Sequence, residues 1–433
     1  MSPYWQEELE TIPRKELEKL QVKRLRKTIE LASNAVYYKQ VFEANGLSAD
    51  TVQSLDDLQK FPFTTKDDLR TGYPYDFAAI PLQKCVRLHS SSGTTGKPTV
   101  VLHSQSDLDN WANQVARCMY MVGLRDTDIF QNTSGYGMFT GGLGFQYGAE
   151  RLGALTVPAA AGNSKRQIKF ITDFGTTCLH IIPSYASRLA EVFNEMGLDP
   201  QKDTKLHTIC IGAEPHSEEQ RKRIEKLLGV KAYNCFGMSE MNGPGVAFEC
   251  KKQNGLHIWE DYVIVEIVDP ETLQPVAEGE TGELVLTTLQ REAMPLIRYR
   301  TRDLTRFISG DCPCGRSHRR IDRFKGRSDD MIILKGVNIF PVQIETILMQ
   351  FKELGGNYLI TLETVSNSDE MLIEVELSDL YTDNYSVLQR LTKEIIRQLK
   401  DELLITPRLK LAAKGSLPVS EGKAVRVKDL RNF

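Results

Sequence analysis

This chain predicts an α/β architecture with a second, smaller unit, and three observations carry that expectation. From about residue 85 to 245, short apolar runs alternate with helical stretches, as in a parallel sheet covered on both faces. Over residues 257–308 the pattern changes to β-branched and polar residues alternating around turns, which reads as antiparallel β structure. Beyond residue 330 the chain begins again with a strand, a helix, two strands and a helix. A length of 433 residues exceeds a single typical core. The expected fold is therefore α/β. A large N-terminal domain, 1–328, has mixed or parallel sheets and a small β-barrel-like region, and a small mobile α+β C-terminal domain, 329–433, follows it.

Composition narrows the function classes. With 41% hydrophobic and 26% charged residues the chain reads as an ordinary globular protein. A net charge of −3 gives no general field that draws it to nucleic acid or to an anionic membrane. Met1 to Glu10 has no apolar core of a secretory signal, and no run approaches the roughly 20 apolar residues of a membrane span. A cytoplasmic location is expected. The eight cysteines, mostly single, then read as buried small apolar groups rather than a disulfide framework.

In chain order, Leu17, Leu20, Leu25, Ile29, Leu31 and Val36 among many charges make residues 14–45 an amphipathic helical segment packed on the main domain. Val100–Leu102, Leu155–Val157, Leu179–Ile182 and Thr208–Ile211 read as short buried strands of the parallel sheet. Residues Ser106–Met121, Ser184–Met196 and Glu218–Leu228 read as its helices. Ligands collect beyond the carboxyl ends of such strands. The loop at 90–99 and the turns Gly135–Gly144, Gly212–Glu214 and Phe236–Gly245 fall there. Tyr262–Val268 and Glu283–Thr288 are the antiparallel strands; Met331–Leu334 and a helix Pro341–Phe351 open the last unit.

Five segments carry chemistry. Ser90-Ser91-Ser92-Gly93-Thr94-Thr95-Gly96-Lys97-Pro98-Thr99 offers backbone N–H groups and hydroxyls to phosphate oxygens. It is not the kinase or GTPase P-loop, since Ser91 stands where glycine is needed and Pro98 follows Lys97. On composition alone a solvated turn is the usual outcome for such a segment. Small residues in Gly212-Ala213-Glu214-Pro215 let a planar base approach the backbone. Tyr233 to Glu240 is an aromatic and glycine turn that ends in a carboxylate suited to magnesium. Asp303, in Tyr299-Arg300-Thr301-Arg302-Asp303, is suited to accept ribose hydroxyls. Ser416-Leu417-Pro418-Val419-Ser420-Glu421-Gly422-Lys423 is a mobile turn presenting one lysine.

In this order the five segments resemble the adenylate-forming superfamily, which includes acyl-CoA synthetases, and most closely its phenylacetate–CoA ligases. The resemblance runs from Tyr37-Tyr38 to Lys423. The narrower family rests on the Ser-Ser-Ser-Gly-Thr-Thr-Gly loop, Met238-Ser239-Glu240, the short length and Gly336-Val337-Asn338-Ile339-Phe340-Pro341. It implies a two-step reaction: a carboxylate and ATP give an acyl-adenylate and pyrophosphate, and coenzyme A then displaces AMP.

It also implies roles for single residues. Ser90, Ser91, Ser92, Gly93, Thr94 and Thr95 hold phosphates. Gly212, Ala213, Glu214 and Pro215, with Asn234, Cys235, Phe236, Gly237, Met238 and Ser239, complete the nucleotide site. Thr94, Glu240 and Lys423 are catalytic, with magnesium on Glu240 and Lys423 bridging the attacking carboxylate and the α-phosphate. Asp303 and Arg327 grip the ribose, Asp329 is a hinge, and Lys335 and Gly336 line a coenzyme A channel. A homodimer is also implied. Taken alone, Lys423 is one surface lysine among many, Asp303 and Arg327 are an ordinary salt bridge or turn charges, and Asp329-Asp330 is a polar linker.

The acyl pocket is expected at Ser134–Gly142, where Tyr136 and Phe139 give aromatic faces and Gly137 leaves room, with Ala213 and Phe236 closing the far side. The alternative is aromatics buried in a core beside a glycine-rich turn. Cys312-Pro313-Cys314-Gly315 is a knuckle suited to present two thiolates to one metal. Cys250 and His257 complete a Cys3His structural zinc set, with His318 as competitor. The alternative is two reduced cysteines in a turn. Expected partners are thus an aryl carboxylate, ATP and coenzyme A, without nucleic acid or membrane. A carrier protein or a deazaflavin cofactor remains open as a different acceptor. A non-catalytic nucleotide-binding module ranks last, because it predicts loss of the loop hydroxyls, Glu240 or Lys423. The choice of aryl acid stays open.

Overall fold

Parallel pairing of the short apolar runs organises the larger part of the molecule. The computed structural model describes residues 2–90, 98–138, 140–328, 331–335, 337–365, 368–378, 385–418 and 425–431. A short α1 (Glu7–Glu10) precedes α2 (Arg14–Ala32), α3 (Val36–Asn45) and α4 (Lys66–Thr71). The amphipathic segment expected over 14–45 is thus two helices, broken at residues 33–35, and α3 ends on Gly46 at φ 63°.

Next come β1 (Arg87–Ser90) and β2 (Val100–His103), an antiparallel hairpin separate from the large sheet. This corrects the assignment of 100–102 to the parallel sheet. The partner of β2 is the strand on the other side of the hydroxyl-rich loop, with Ser90 opposite Val100, so the hairpin forms the loop's stem.

The large sheet starts after α5 (Gln105–Val122). Its parallel part is built from β3 (Ile129–Asn132), α6 (Thr140–Leu152), β4 (Leu155–Val157), α7 (Ser164–Phe174), β5 (Cys178–Ile181), α8 (Pro183–Glu195), a single turn α9 (Pro200–Asp203), β6 (Thr208–Gly212), α10 (Glu218–Leu228) and β7 (Lys231–Met238). The chain then reverses through β8 (Gly243–Glu249) and β9 (Leu256–Ile258). Next, β10 (Val263–Val268), β11 (Gly282–Thr288) and β12 (Tyr299–Thr305) start a second, antiparallel sheet. β13 (Phe307–Ile308) and β14 (Arg320–Ile321) return beside β9, and β15 (Gly326–Arg327) joins β12.

The large sheet runs β13-β14-β9-β8-β7-β6-β5-β3-β4. β4 is its edge, and Leu155 is exposed there rather than buried. The second sheet runs β10-β11-β12-β15 and is antiparallel throughout.

Alternation sorts the parallel strands between two cores. Leu179, Ile181, Ile209 and Ile211 pack with residues of α7, α8 and α10. Cys178, Cys210 and Cys235 face the opposite side with Trp111, Phe130 and Phe145. These thiols, with Cys118, act as the small buried apolar groups expected, and no cysteine is in a disulfide. α5 begins in a capping box of Ser104 and Asp107 and ends on Gly123 at φ 108°. α6 approaches it closely. A Cβ on Gly148 would lie 2.4 Å from Val115, a contact only glycine avoids.

The small unit comprises the hairpin β16 (Ile332–Leu334) and β17 (Val337–Ile339), then α11 (Pro341–Leu348), β18 (Leu354–Val365), β19 (Ser368–Leu377), α12 (Tyr385–Leu403), β20 (Arg408–Ala412) and β21 (Val427–Asp429). Its sheet runs β20-β19-β18-β21 over a core of its own. It rests on α8 and α10, where Arg223 Nη2 donates to the Leu354 carbonyl at 2.7 Å. Among the described residues no helix is long and apolar enough to cross a membrane.

One ion pair joins distant parts of the larger unit. Arg117 on α5 donates twice to Asp261, at 2.8 and 3.1 Å, and both side chains are wholly buried. Gln6 accepts from Arg117 at 2.6 Å, and nearby Glu10 accepts from Arg316 at 2.7 Å. Asp261→Ala leaves a buried guanidinium uncompensated. It is expected to lower stability by about 3–5 kcal/mol, seen as a lower denaturant midpoint at unchanged slope. Adding Arg117→Met should recover part of that loss.

Candidate functional site

Of the described motif residues, Gly212–Pro215 and Asn234–Glu240 stand at the carboxyl ends of β6 and β7. At the end of β6, Gly212 lies opposite Cys235 of β7, and a Cβ there would fall 2.2 Å from the Cys235 carbonyl oxygen. Ala213 follows at φ 66° and turns the chain away from the sheet. Glu214 then accepts from the Ser184 N–H at 3.1 Å and the Ser184 hydroxyl at 2.9 Å, at the positive start of α8. With that carboxylate committed to α8, the Gly212–Pro215 turn presents mainly backbone to a ligand.

β7 supplies the neighbouring edge. The Asn234 N–H donates to Glu249 at 2.7 Å, and the Phe236 ring lies 4.3 Å from that of Phe324. Gly237 accommodates the Gly243 carbonyl, and the Ser239 hydroxyl lies 3.2 Å from that of Thr140 at the start of α6. Glu240 is buried in the turn that follows, its carbonyl accepting from Arg291.

From the second sheet, Asp303 and Arg327 face each other across β12 and β15, 3.9 Å apart. Tyr299 ties these groups together. Burial, then the Glu240 carboxylate, push its hydroxyl far above the usual range; Arg327 opposes this and Asp303 adds to it. Glu240, Asp303 and Arg327 thus share one electrostatic neighbourhood although they come from two sheets.

The loop after β3 is held from beneath. Asn132 donates to the Gly142 carbonyl at 2.6 Å and to the Tyr136 hydroxyl at 3.2 Å. The Ser134 hydroxyl meets His180 Nδ1 at 3.1 Å, and the His180 ring stacks on Phe145 at 3.8 Å. Burial pushes His180 down to about 3, so it is a neutral imidazole at physiological pH. The Met138 carbonyl accepts from the Ser90 N–H at 3.1 Å, which joins this loop to the end of β1. Tyr136 is half-buried and Gly137, at φ 121°, is exposed. Ala213 and Phe236 stand on the far side of the β5 end.

Ser91, Ser92, Gly93, Thr94, Thr95, Phe139, Asp329, Gly336 and Lys423 lie outside the described residues. Lys335 is exposed in the β16–β17 turn, beside a depression lined by small-unit residues such as Asp369 and Glu370.

Nothing in the sequence marks His180 or Arg291, and it includes Thr140 and Tyr299 only within the Ser134–Gly142 and Tyr299–Asp303 segments, with no role of their own. Tyr299 was signalled by its place in Tyr-Arg-Thr-Arg-Asp, whereas His180 reads as one polar residue in an apolar strand.

A second cluster lies at the other end of the large sheet. The ligating atoms of Cys250, His257, Cys312 and Cys314 all fall within 4.8 Å of one another. Cys314 Sγ is 3.3 Å from His257 Nε2, and the sulfurs of Cys250 and Cys312 are 3.7 Å apart. His257 Nδ1 faces the His318 carbonyl at 3.2 Å and must donate to it, which leaves Nε2 a lone pair for a metal. His318, the competitor, is engaged elsewhere: Nδ1 accepts from the Glu260 N–H at 3.1 Å and Nε2 meets the Leu9 carbonyl at 2.9 Å.

Comparison with known proteins adds to this geometry. Residues 14–290 match the family model of AMP-binding enzymes, and residues 336–431 that of the AMP-binding enzyme C-terminal domain. The chain is 43% identical to the phenylacetate-coenzyme A ligase of Escherichia coli (strain K12), covering 98% of this chain and 97% of that one. It is 44% identical to the phenylacetate-coenzyme A ligase of Pseudomonas putida, covering 98% and 96%. Among solved structures, 2-hydroxyisobutyryl-CoA ligase in the postadenylation state, in complex with R3-HIB-AMP, gives a TM-score of 0.93 at 30% identity, covering 99% of this chain and 92% of that one. The same ligase with 2-HIB-AMP and CoA in the thioesterification state gives 0.74 at 31% identity, covering 99% and 93%.

The β6 turn makes a paired test of this edge. Gly212→Ala is expected to lower stability by about 1–3 kcal/mol, because the clashing neighbour is backbone. Ala213→Gly, one residue on at positive φ, should leave stability unchanged or raise it by up to about 1 kcal/mol. Denaturant midpoints of the two variants decide this.

Proposed function

Since this chain belongs to the AMP-binding enzyme family, and within it to the phenylacetate–coenzyme A ligases, we propose that it activates phenylacetate, or a related aryl carboxylate, as an acyl-adenylate and transfers the acyl group to coenzyme A. It is an AMP-forming acid–thiol ligase. ATP and coenzyme A are its substrates, and pyrophosphate and AMP leave in turn. The observation that carries this reading is the likeness to those ligases over almost the whole of both chains.

The site supplies what the chemistry needs. Attack of a carboxylate oxygen on the α-phosphorus brings negative groups together, so fixed donors and cations must offset the growing charge. Ser90, Ser91, Ser92, Gly93, Thr94 and Thr95 hold the phosphates from a loop whose stem is the β1–β2 hairpin. The backbone of Gly212–Pro215 and the β7 end from Asn234 to Ser239 receive the adenosine, with Asp303 accepting the ribose hydroxyls beside Arg327. The pairing of Asp303 with Arg327 near Glu240 supports these assignments. Glu240 would hold magnesium, which supplies positive charge at the triphosphate. Thr94 and Lys423 act on the reacting phosphate and carboxylate. Tyr136, Gly137, Phe139, Ala213 and Phe236 surround the aryl ring.

We place the domain division at 328/329, with Asp329 as the hinge and Lys335 and Gly336 as the loop that lines the coenzyme A channel after rotation. The better match to the postadenylation state than to the thioesterification state supports an orientation before that rotation. A cytoplasmic homodimer completes the reading.

The Cys250–His257–Cys312–Cys314 group fits a structural zinc. Zinc–sulfur bonds of about 2.3 Å in a tetrahedron put sulfurs about 3.8 Å apart, close to the 3.7 Å between Cys250 and Cys312. Its ligands join the end of β8 and β9 to the β13–β14 connection, so its role is to hold that turn.

The test is AMP formation from ATP and magnesium over a panel of aryl and alkyl carboxylates, with and without coenzyme A. Turnover should require both an arylacetate and coenzyme A; pyrophosphate release with no coenzyme A-dependent turnover would send the acyl group to another acceptor. Lys423→Ala should cut adenylate formation at least 100-fold while thioester formation from supplied acyl-adenylate stays within a few-fold, a magnitude in the range of one charge-stabilising donor. For the metal, the purified protein should carry close to one zinc per chain. Cys312→Ser should abolish it and lower the melting temperature with little change in the KM for phenylacetate; metal-free wild-type protein of unchanged stability refutes the zinc centre.

A further inference from the structure

The small unit reaches into the larger one through a buried carboxylate. Glu345 on α11 is only 3% exposed. One of its oxygens accepts from the backbone N–H of Ser217 at 2.8 Å, and the other from the Tyr358 hydroxyl at 3.1 Å. Tyr358 belongs to the small unit and fixes the carboxylate from behind, with the Arg426 guanidinium 4.4 Å from the centre of its ring. Ser217 belongs to the larger unit. It is the N-cap of α10, and its own hydroxyl accepts from the Gln220 N–H at 3.1 Å. Glu345 therefore places an acceptor and a negative charge at the positive start of a helix in the other unit.

That helix start lies just beyond the Gly212–Pro215 turn. The turn runs between two helix starts, each held by a carboxylate: α8 by Glu214 from the turn itself, and α10 by Glu345 from the small unit. Any rotation that carries α11 away from α10 removes the acceptor from the Ser217 N–H and uncovers Glu345. The bond thus belongs to one orientation of the small unit, the one that matches a postadenylation state at TM-score 0.93 against 0.74 for a thioesterification state.

We propose that Glu345 is a positioning residue, a latch from α11 to the N-cap of α10 that holds the small unit in the adenylation-side orientation and braces the turn that receives the nucleotide. This rests on the two-step ligase reading. The latch favours the first half-reaction and must open for the second, so removing it should affect the two steps unequally. A residue that only supports folding would depress both.

The same interface offers a probe of orientation that does not depend on activity. A Cβ on Gly356 would lie 3.5 Å from that of Ser187 on α8, within disulfide range. In the full-length protein carrying Ser187→Cys and Gly356→Cys, mild oxidation should cross-link the units. The locked enzyme should still form acyl-adenylate but lose thioester formation at least 50-fold until reduced.

Adding Glu345→Ala should slow cross-linking at least fivefold. In the otherwise unaltered protein, Glu345→Ala should lower ATP–pyrophosphate exchange about tenfold and leave single-turnover thioester formation from supplied acyl-adenylate within twofold or faster. Glu345→Gln keeps one acceptor for the Ser217 N–H and should recover most of the exchange rate; it also serves if the alanine variant folds poorly. Equal loss in both half-reactions, unchanged cross-linking without Glu345, or no cross-linking with Glu345 present would each overturn the latch. If the unaltered protein shows no exchange with any aryl carboxylate, the ligase reading fails, and the cross-linking rates still decide the latch.

Discussion

Taking a guanidinium and a carboxylate out of water together is costly, and the Arg117–Asp261 pair is tolerable only because its surroundings are satisfied. Its two parallel hydrogen bonds are backed by Gln6 and by the Trp259 ring, 4.8 Å from the guanidinium. The pair fixes α5, and α5 frames the site. At its start, Asp107 accepts from the N–H groups of Glu292 and Ala293 at 2.7 and 3.0 Å, which places the chain that leads to Tyr299. Arg291 bridges from Glu240 to the Leu102 carbonyl on the β1–β2 hairpin. The hydroxyl-rich loop, the magnesium-binding carboxylate proposed here and the Tyr299 strand are therefore all referred to one helix.

The site divides its labour by element type. The parallel strands contribute main chain, because side chains at their carboxyl ends are small, as at Gly212, or already engaged, as with Glu214. The second sheet contributes charge, in Asp303 and Arg327. The loop after β3 contributes shape, held by Asn132 and by a neutral His180. The small unit is added through α8 and α10, the two helices that leave this edge of the sheet.

Much of this was legible in the sequence, and what was not has physical causes. Helices α8 and α10 and strands β5 and β6 announce themselves by their apolar pattern, with Pro183 opening α8 and Ser217 capping α10. β2 did not reveal its partner, since four buried residues in a row read alike in a parallel sheet and in a hairpin. The return of β13 and β14 to the large sheet was equally silent, each being two residues long. The motif order points to an edge for the nucleotide, but not to the contacts of that edge, because those of Thr140 and His180 are made across the fold. The cysteine knuckle was readable from its spacing. Spacing does not separate His257 from His318; their hydrogen bonds do. Glu345 carries no signal at all, since its partner is a backbone N–H in another unit.

The contacts of residues 4–10 have a consequence for how the protein is made. Glu10 meets Arg316 across 306 positions of sequence, and the Tyr4 hydroxyl donates to the Cys314 carbonyl across 310. Residues that leave the ribosome early thus find their partners only when most of the chain has been synthesised. Such contacts have the highest loop-closure cost and form late. Until then Arg117 has only part of its final shell, because Gln6 sits in the same clasp. The clasp then closes only after residues 314–316 have emerged, next to the buried Arg117–Asp261 pair. Until then the apolar and charged surfaces that the clasp covers stay open, the condition under which partly folded chains aggregate.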